Sequence, residues 1–288
     1  IRISPSRSRT SHPHIKPTQL SPSAFLSTHT PGSPPGPLAA MARTPLTVLC
    51  FGDSLTSGYH NYGLGEQPYS EVLIDRLEAA LPEREVQVVT SGVPGDLASL
   101  QAFRRRLKGE CESRSYDWVI MLGGTNDLGS LVPVHRILAA LEANWDIPLA
   151  NGSKLLALTV PECHARLEWL DDNRRHLNSG ILAHKQPNFY AFDLLPKIQY
   201  HSLSKQDRDT YWDDGVHLTG DGYDWMGGHI ADALLQILSQ EEKSPEAAKP
   251  KTRRPPAKKD DEQAFDEEAG SPNHISQGYV VVRKKDLD

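Results

Sequence analysis

The sequence carries one serine and one histidine whose surroundings suit nucleophilic catalysis. Ser54 follows an apolar run and lies in a Gly-Asp-Ser-Leu turn, 52–55. A hydroxyl needs a base to accept its proton, and histidine serves that purpose near neutral pH. His217 is the candidate base, because Asp214 precedes it by three residues in a glycine-containing loop. A carboxylate at this spacing can bind one ring nitrogen, set the tautomer and stabilise the imidazolium that forms.

Each of these residues also has an ordinary structural interpretation. A serine between a strand and a helix commonly caps the helix, so Ser54 alone is a weak signal. The chain has 12 histidines, and only the neighbouring carboxylate distinguishes His217. Asp213 is the rival partner for that histidine, or it simply caps the loop.

Two further positions could stabilise a developing oxyanion. Asn126 offers a side-chain amide at the end of a predicted strand, although asparagine in a loop often forms an Asx turn. Gly95 has no side chain to shield its N–H, so it can donate directly, but it also suits a plain turn. The N–H of Ser54, at the start of a helix, is the third candidate donor.

Between the termini, apolar runs alternate with stretches of helical periodicity. Apolar runs without polar alternation predict strands buried on both faces, as in a parallel sheet. Alternating strands and helices predict an α/β protein with a three-layer α/β/α sandwich, in which active residues follow the carboxyl ends of strands. The predicted strands are 46–51, 86–90, 118–122, 155–160 and 189–193, and the helical stripes begin at Tyr69, Leu97, Leu131, Leu167 and Tyr223.

The chain resembles the GDSL esterase and lipase family, also called SGNH hydrolases. Four blocks carry the resemblance, in order, across residues 44–238: Gly52-Asp53-Ser54-Leu55, Gly95 before an aspartate, Gly124-Thr125-Asn126-Asp127 and Asp214-Gly215-Val216-His217. The resemblance implies a flavodoxin-like fold with a five-stranded parallel sheet in the order 2-1-3-4-5, and no metal or organic cofactor. It also implies Ser54, Gly95 and Asn126 as oxyanion donors, although Gly92 competes with Gly95 in the second block.

These residues together predict a serine esterase that acts through an acyl-enzyme on a small-molecule carboxylic ester. The alternative is a catalytically silent module of the same fold that works through its tails. Flavin or nucleotide binding is disfavoured, because no Gly-rich phosphate-binding pattern follows a strand. The loops 58–68 and 196–211 are expected to wall the pocket, with candidate lining residues Tyr59, Tyr62, Tyr200 and Trp212. The identity of the ester stays open.

The terminal segments differ in composition from the centre. Residues 1–43 are rich in Ser, Pro, His and Thr and contain no acidic residue, and 241–288 are largely charged. Both are expected to be disordered around a catalytic domain at 44–240. The N-terminal segment is either an organelle-targeting extension or lies upstream of a true start at Met41. The Val280-Val281-Val282 run could pair with a sheet edge as a protein-interaction segment.

The overall composition restricts the possible partners. A net charge of −6 argues against nucleic acid as the main ligand. The chain contains no run of 18 apolar residues, so the sequence predicts no membrane span. Three widely spaced cysteines do not suggest a disulfide framework, which favours an intracellular, cytoplasmic location.

Overall fold

A five-stranded parallel sheet forms the centre of the computed structural model, which describes residues 43–243 and the short strands 263–264 and 282–283. Counted along the chain among the sheet strands alone, the order is 2-1-3-4-5, as predicted. The described strands are β1 (Thr44–Gly52), β2 (Tyr59–His60), β3 (Gly65–Glu66), β4 (Arg84–Gly92), β5 (Trp118–Met121), β6 (Lys154–Leu158), β7 (Phe189–Phe192), β8 (Gln263–Ala264) and β9 (Val282–Arg283). The five strands of the sheet are β4, β1, β5, β6 and β7.

Alternate residues of the central strands enter two separate hydrophobic cores. On β1, Val48 and Cys50 belong to one core, and Leu49 and Phe51 belong to the other. All four side chains are fully buried. Because both faces need apolar side chains, these strands appear in the sequence as continuous apolar runs.

Helices cover both faces of the sheet and complete the three-layer sandwich. Helices α2 and α8 contribute to the core on one face, and α3, α5 and α6 contribute to the core on the other. The described helices are α1 (Ser54–Ser57), α2 (Ser70–Ala80), α3 (Gln101–Ser113), α4 (Thr125–Gly129), α5 (Val134–Ala150), α6 (Glu168–Ala183), α7 (Lys205–Tyr211) and α8 (Gly220–Lys243). None of these helices is long and apolar enough to cross a membrane.

Four of the predicted helical stripes begin before their helices do. Tyr69 and Leu167 each lie one residue before α2 and α6, whereas Leu97 and Leu131 lie further ahead of α3 and α5, and Leu131 has a positive φ of 59°. Pro133, as the N-cap, sets the start of α5, since proline has no N–H to donate to the preceding turn. Leucine periodicity therefore predicted these helices correctly but placed their first turns too early.

The described parts of the C-terminal segment pair with each other. Strand β9 pairs antiparallel with β8, in a two-stranded ladder separate from the five-stranded sheet. Helix α8 continues to Lys243, beyond the expected domain end at 240. The disorder expected at both termini concerns residues that lie mainly outside those described, so the domain boundaries stay predictions.

The contact between α1 and the end of β4 leads to a stability prediction. A Cβ added at Gly92 would lie 2.3 Å from the Ser57 backbone nitrogen and 2.7 Å from the Asp53 carbonyl oxygen, and neither atom can move independently of the chain. We expect Gly92→Ala to lower the unfolding free energy by about 2 kcal/mol, as overpacking does.

Gly109 provides the matched control for this substitution. It lies in α3, is exposed, and its added Cβ would meet nothing within 4 Å. Gly109→Ala should raise stability by about 0.5–1 kcal/mol, because alanine favours helix more than glycine does. Urea unfolding measures both variants, and equal changes would contradict the close packing at Gly92.

Candidate active site

Ser54, His217 and Asp214 form a continuous hydrogen-bonded chain. The Ser54 Oγ lies 2.9 Å from His217 Nε2, and His217 Nδ1 lies 2.7 Å from Asp214 Oδ2. An ionised carboxylate only accepts hydrogen bonds, so Nδ1 carries the ring proton and Nε2 is left to accept the serine proton. Ser54 and His217, 163 positions apart in the sequence, thus have with Asp214 the geometry that a nucleophile, a base and an orienting acid would require.

A tight turn presents the histidine and its carboxylate together. Asp214 Oδ1 accepts the backbone N–H groups of Val216 and His217 at 2.9 and 2.8 Å. Gly215 has a φ of 83°, in the left-handed region that glycine adopts without strain. Trp212 and Leu218, both buried, pair as an antiparallel bridge at the base of the turn. The turn is therefore fixed to the core on both sides of the histidine.

The hydrogen bonds keep Asp214 ionised. Partial burial alone would raise the pKa of Asp214, but hydrogen bonds from the His217 side chain and from two backbone N–H groups outweigh it and lower the pKa. Asp213 has a different role, since its Oδ2 accepts the N–H of Asn61 at 2.6 Å. The rival carboxylate therefore holds the 61–63 turn and makes no recorded hydrogen bond to the histidine ring.

Ser54 is the first residue of α1, directly after β1. Asp53 caps this helix: its Oδ1 accepts the N–H of Leu55 at 3.0 Å, and its carbonyl accepts those of Thr56 and Ser57. The Ser54 N–H makes no recorded hydrogen bond within the described residues. Ser54 is 5% exposed, so its hydroxyl is held in place while this N–H stays available to a ligand.

Asp53, the residue before Ser54, is buried. Burial raises the pKa of Asp53 to about 7, opposed by the hydrogen bond from Leu55 and supported by the nearby charges of Asp127 and Asp96. Its Oδ2 has no hydrogen-bond partner among the described residues. Burial thus disfavours a negative charge on Asp53, next to Ser54 in the chain.

The two other candidate oxyanion donors are neighbours. Asn126 Nδ2 donates to the carbonyl of Asp96, the residue after Gly95, at 3.0 Å. A side-chain amide has two hydrogens, so one remains for a ligand. Gly95 has a φ of 78° and open space where a Cβ would stand. Gly92 has no such space, because it packs against the backbone of α1.

The loop that carries Gly95 is held from α4 and α5. Asp127 accepts the N–H groups of Ala98 and Ser99 at 2.8 and 2.9 Å, and Asn144 donates to the Ala98 carbonyl at 3.0 Å. Asp127 is fully buried. Adjacent residues of α4 therefore bind different parts of this loop: Asn126 binds the Asp96 carbonyl, and Asp127 anchors the N–H groups of Ala98 and Ser99.

An apolar cavity of about 320 Å³ opens beside Asn126. Its lining includes Asn126 and Val216, so it reaches both the amide and the residue before His217. The remaining wall is mainly apolar and includes Leu128, Val160, Pro161, Cys163 and Leu170. Such a cavity excludes water and accepts an apolar group of a ligand.

The four aromatic residues expected at the pocket have different positions. The ring centroid of Tyr59 lies 4.7 Å from that of His217, so Tyr59 does border the candidate base. Tyr62 is 84% exposed, and Trp212 is buried in the core. Tyr200 lines a separate cleft. The expectation was therefore wrong for Trp212, whose indole packs inward to anchor the histidine loop.

Comparison with known sequences decides the family. A sequence model described as the GDSL-like Lipase/Acylhydrolase family matches residues 50–225. The chain belongs to this family. No protein among those with curated descriptions matches it.

Solved structures show the same fold at low sequence identity. The lipase/acylhydrolase from Enterococcus faecalis has 22% identity and a TM-score of 0.52, covering 67% of this chain and 96% of its own. A variant of Axe2, an acetyl-xylooligosaccharide esterase from Geobacillus Stearmophilus, has 17% identity and a TM-score of 0.55, covering 68% and 94%. A carbohydrate esterase family 3 protein from Talaromyces cellulolyticus has 15% identity and a TM-score of 0.52, covering 68% and 99%. At these identities the neighbours show the fold alone, and the family match indicates an ester hydrolase in general.

Arg106 is a residue of the GDSL-like site that sequence reasoning missed. Its Nη2 donates to the Gly52 carbonyl and to Asp96 Oδ2 at 2.8 and 2.9 Å, and its Nη1 donates to the Ser91 carbonyl at 2.7 Å. The guanidinium carbon lies 3.9 Å from the Phe51 ring centroid. One side chain therefore joins the nucleophile turn, the end of β4 and the Gly95 loop.

No local signal distinguishes Arg106 in the sequence. It is the last of three successive arginines in α3, and Arg105 beside it is exposed. Only their positions around the helix distinguish Arg105 from Arg106. Because the predicted stripe placed the start of α3 too early, it did not show which arginine points inward. Partners outside α3, at Gly52, Ser91 and Asp96, then decide the role of Arg106.

The guanidinium clamp leads to a prediction for Arg106→Gln. This substitution leaves Asp96, whose side chain is 10% exposed, without its cation. We expect the unfolding free energy to fall by about 3 kcal/mol, as when one partner of a buried pair is removed. Arg105→Gln is the control and should change it by less than about 0.5 kcal/mol, as for a surface site. Equal effects in urea unfolding would contradict the clamp.

Proposed function

We propose that the chain hydrolyses carboxylic esters through a covalent acyl-enzyme at Ser54. The observation that carries this proposal is the hydrogen-bonded chain from Ser54 Oγ through His217 to Asp214. A serine used only as a helix cap would not require a histidine on its hydroxyl, and Asp53 already caps α1. The same observation argues against a catalytically silent module.

In the first half of the proposed reaction, Ser54 Oγ attacks the ester carbonyl carbon. His217 Nε2 takes the hydroxyl proton, and Asp214 stabilises the imidazolium. The carbonyl π electrons move to oxygen and form a tetrahedral oxyanion. When that intermediate collapses, the bond to the alkoxy group breaks, and His217 gives its proton to the leaving alcohol.

In the second half, water attacks the acyl-enzyme. His217 takes a proton from the water, a second tetrahedral oxyanion forms, and collapse releases the carboxylic acid. The Ser54 oxygen then regains its proton from His217. No cofactor is needed in either half, since each proton that His217 Nε2 takes up is passed on, first to the leaving alcohol and then to Ser54.

Three donors support the proposed oxyanion site. These are the N–H of Ser54, the N–H of Gly95 and the second amide hydrogen of Asn126. Each donor in such a site typically contributes about 3 kcal/mol to lowering the barrier. The bond from Asn126 to the Asp96 carbonyl fixes the amide before the substrate binds, which is the preorganisation that this effect requires.

The shape of the site favours a small apolar acyl group. The cavity beside Asn126 holds about 320 Å³, at the small end of the usual range for ligand pockets. An acyl chain that enters it would lie next to the proposed oxyanion donor. We therefore propose short-chain esters as the substrates to assay first.

The two aspartates of the histidine loop provide the test of the mechanism. Asp214→Asn keeps the shape but removes the charge that sets the tautomer, so kcat on 4-nitrophenyl butyrate should fall by about 10⁴-fold. Asp213→Asn is the matched control. It should lower kcat far less, because Asp213 binds Asn61. A near-normal Asp214→Asn enzyme, or a greater loss in Asp213→Asn, would contradict the proposed orienting acid.

A further inference from the structure

A second cleft, of about 550 Å³, lies next to the histidine loop and is rich in basic side chains. We call it the basic cleft. Arg166, Lys205 and Arg208 line it together with His164 and His201, and Asp209 is the one acidic lining residue. The whole chain carries a net charge of −6, so this concentration of cations runs against the overall charge.

Two arginines of the basic cleft have no ion-pair partner within the described residues. Lys205 binds Asp209 at 2.6 Å, and these two charges largely cancel. Arg166 and Arg208 form no ion pair within 43–243, whereas Arg106, Arg174 and Arg175 all do. Counted over the lining side chains, the guanidinium groups leave a net positive charge of two, while the nearby Glu162 carboxylate is bound to the backbone N–H groups of Tyr200 and His201.

Hydrogen bonds fix the backbone of Tyr200 and His201, which line the basic cleft together with the two arginines. Glu162 Oε2 accepts the backbone N–H groups of Tyr200 and His201 at 2.8 and 3.0 Å. The Arg208 guanidinium carbon lies 5.6 Å from the Tyr200 ring centroid, within cation–π range. His201 Nε2 is buried and has no hydrogen-bond partner among the described residues.

One segment separates the basic cleft from the apolar cavity. Cys163 and Ala165 line the cavity, and the alternate residues His164 and Arg166 line the cleft. The N–H of His164 donates to the Gly215 carbonyl at 2.6 Å, beside the Asp214 carboxylate in the chain. The cleft therefore adjoins the loop that carries His217, whereas the cavity adjoins Asn126.

We propose that the basic cleft binds an anionic group, a phosphate or a carboxylate, carried by the leaving alcohol of the ester. This inference rests on the proposed function, which places the acyl group in the cavity and the leaving oxygen near His217. Two planar guanidinium forks suit anionic oxygens, because each can donate two parallel hydrogen bonds. The substrate class is then an ester of a small apolar acid and an anionic alcohol.

A pair of esters that differ by one phosphate tests the inference. Monobutyrin has neutral glycerol as its alcohol, and 1-butyryl-glycerol 3-phosphate has the same alcohol with an anionic group. We expect kcat/KM to be at least about tenfold higher for the phosphate ester, the effect of one or two charged hydrogen bonds. Raising NaCl to about 0.5 M should reduce that preference by screening the charges.

Arginine variants assign the preference to the cleft. Arg166→Gln and Arg208→Gln should each lower kcat/KM for the phosphate ester by about tenfold and leave monobutyrin turnover unchanged. Arg105→Gln, an exposed arginine on α3, is the control and should change neither. Equal turnover of the two esters by the wild type, or equal losses on both esters in the variants, would overturn the inference.

A binding measurement separates the inference from the proposed function. Calorimetry with glycerol 3-phosphate should show binding to the wild type and weaker binding to Arg208→Gln, whether or not any ester is hydrolysed. Binding with no turnover of either ester would retain the anion site and reject the esterase. Turnover of monobutyrin that Ser54→Ala abolishes, without glycerol 3-phosphate binding, would retain the esterase and reject the anion site.

Discussion

The close contact of the Ser54 turn with the ends of β1 and β4 determines where Ser54 lies. A Cβ at Gly52 would lie 2.3 Å from Thr56 Oγ1 and 2.4 Å from the Leu122 carbonyl, and Gly92 is equally crowded by α1. Because no side chain intervenes, the four-residue helix α1 rests directly on the strand ends. The serine hydroxyl therefore has a position set by backbone contacts, and the histidine loop, which lies 163 residues later in the chain, reaches it.

Charged side chains join the separate turns around this contact. Arg106 connects the Ser54 turn to the Gly95 loop, and Asp127 connects that loop to Asn126. Asp214 does the same within the histidine loop by accepting two backbone N–H groups. Each group that we propose to act on substrate is thus supported by a neighbour that contacts only protein. Such support keeps hydrogen-bond donors in position before charge develops, which is the condition for electrostatic catalysis.

Much of the fold could be predicted from the sequence, because its strands are buried on both faces. The run from Leu46 to Phe51 contains residues of both cores, so it shows no polar alternation and indicates a parallel sheet. The starts of α3 and α5 were harder to predict from the sequence. A loop anchored by Asp127 replaces the expected first turn of α3, and a proline at 133 replaces that of α5. The role of Arg106 and the inward packing of Trp212 depend on contacts between distant segments, which local spacing does not contain.

The central claim is that Ser54 is a nucleophile activated by His217, and covalent labelling measures this most directly. The intact chain would be treated with a fluorophosphonate, digested and mapped by mass spectrometry, alongside Ser54→Ala and His217→Ala. We predict one phosphonylated peptide that contains Ser54, no label in Ser54→Ala and strongly slowed labelling in His217→Ala. Labelling at another residue, labelling that persists in Ser54→Ala, or no labelling of the folded chain would contradict the account.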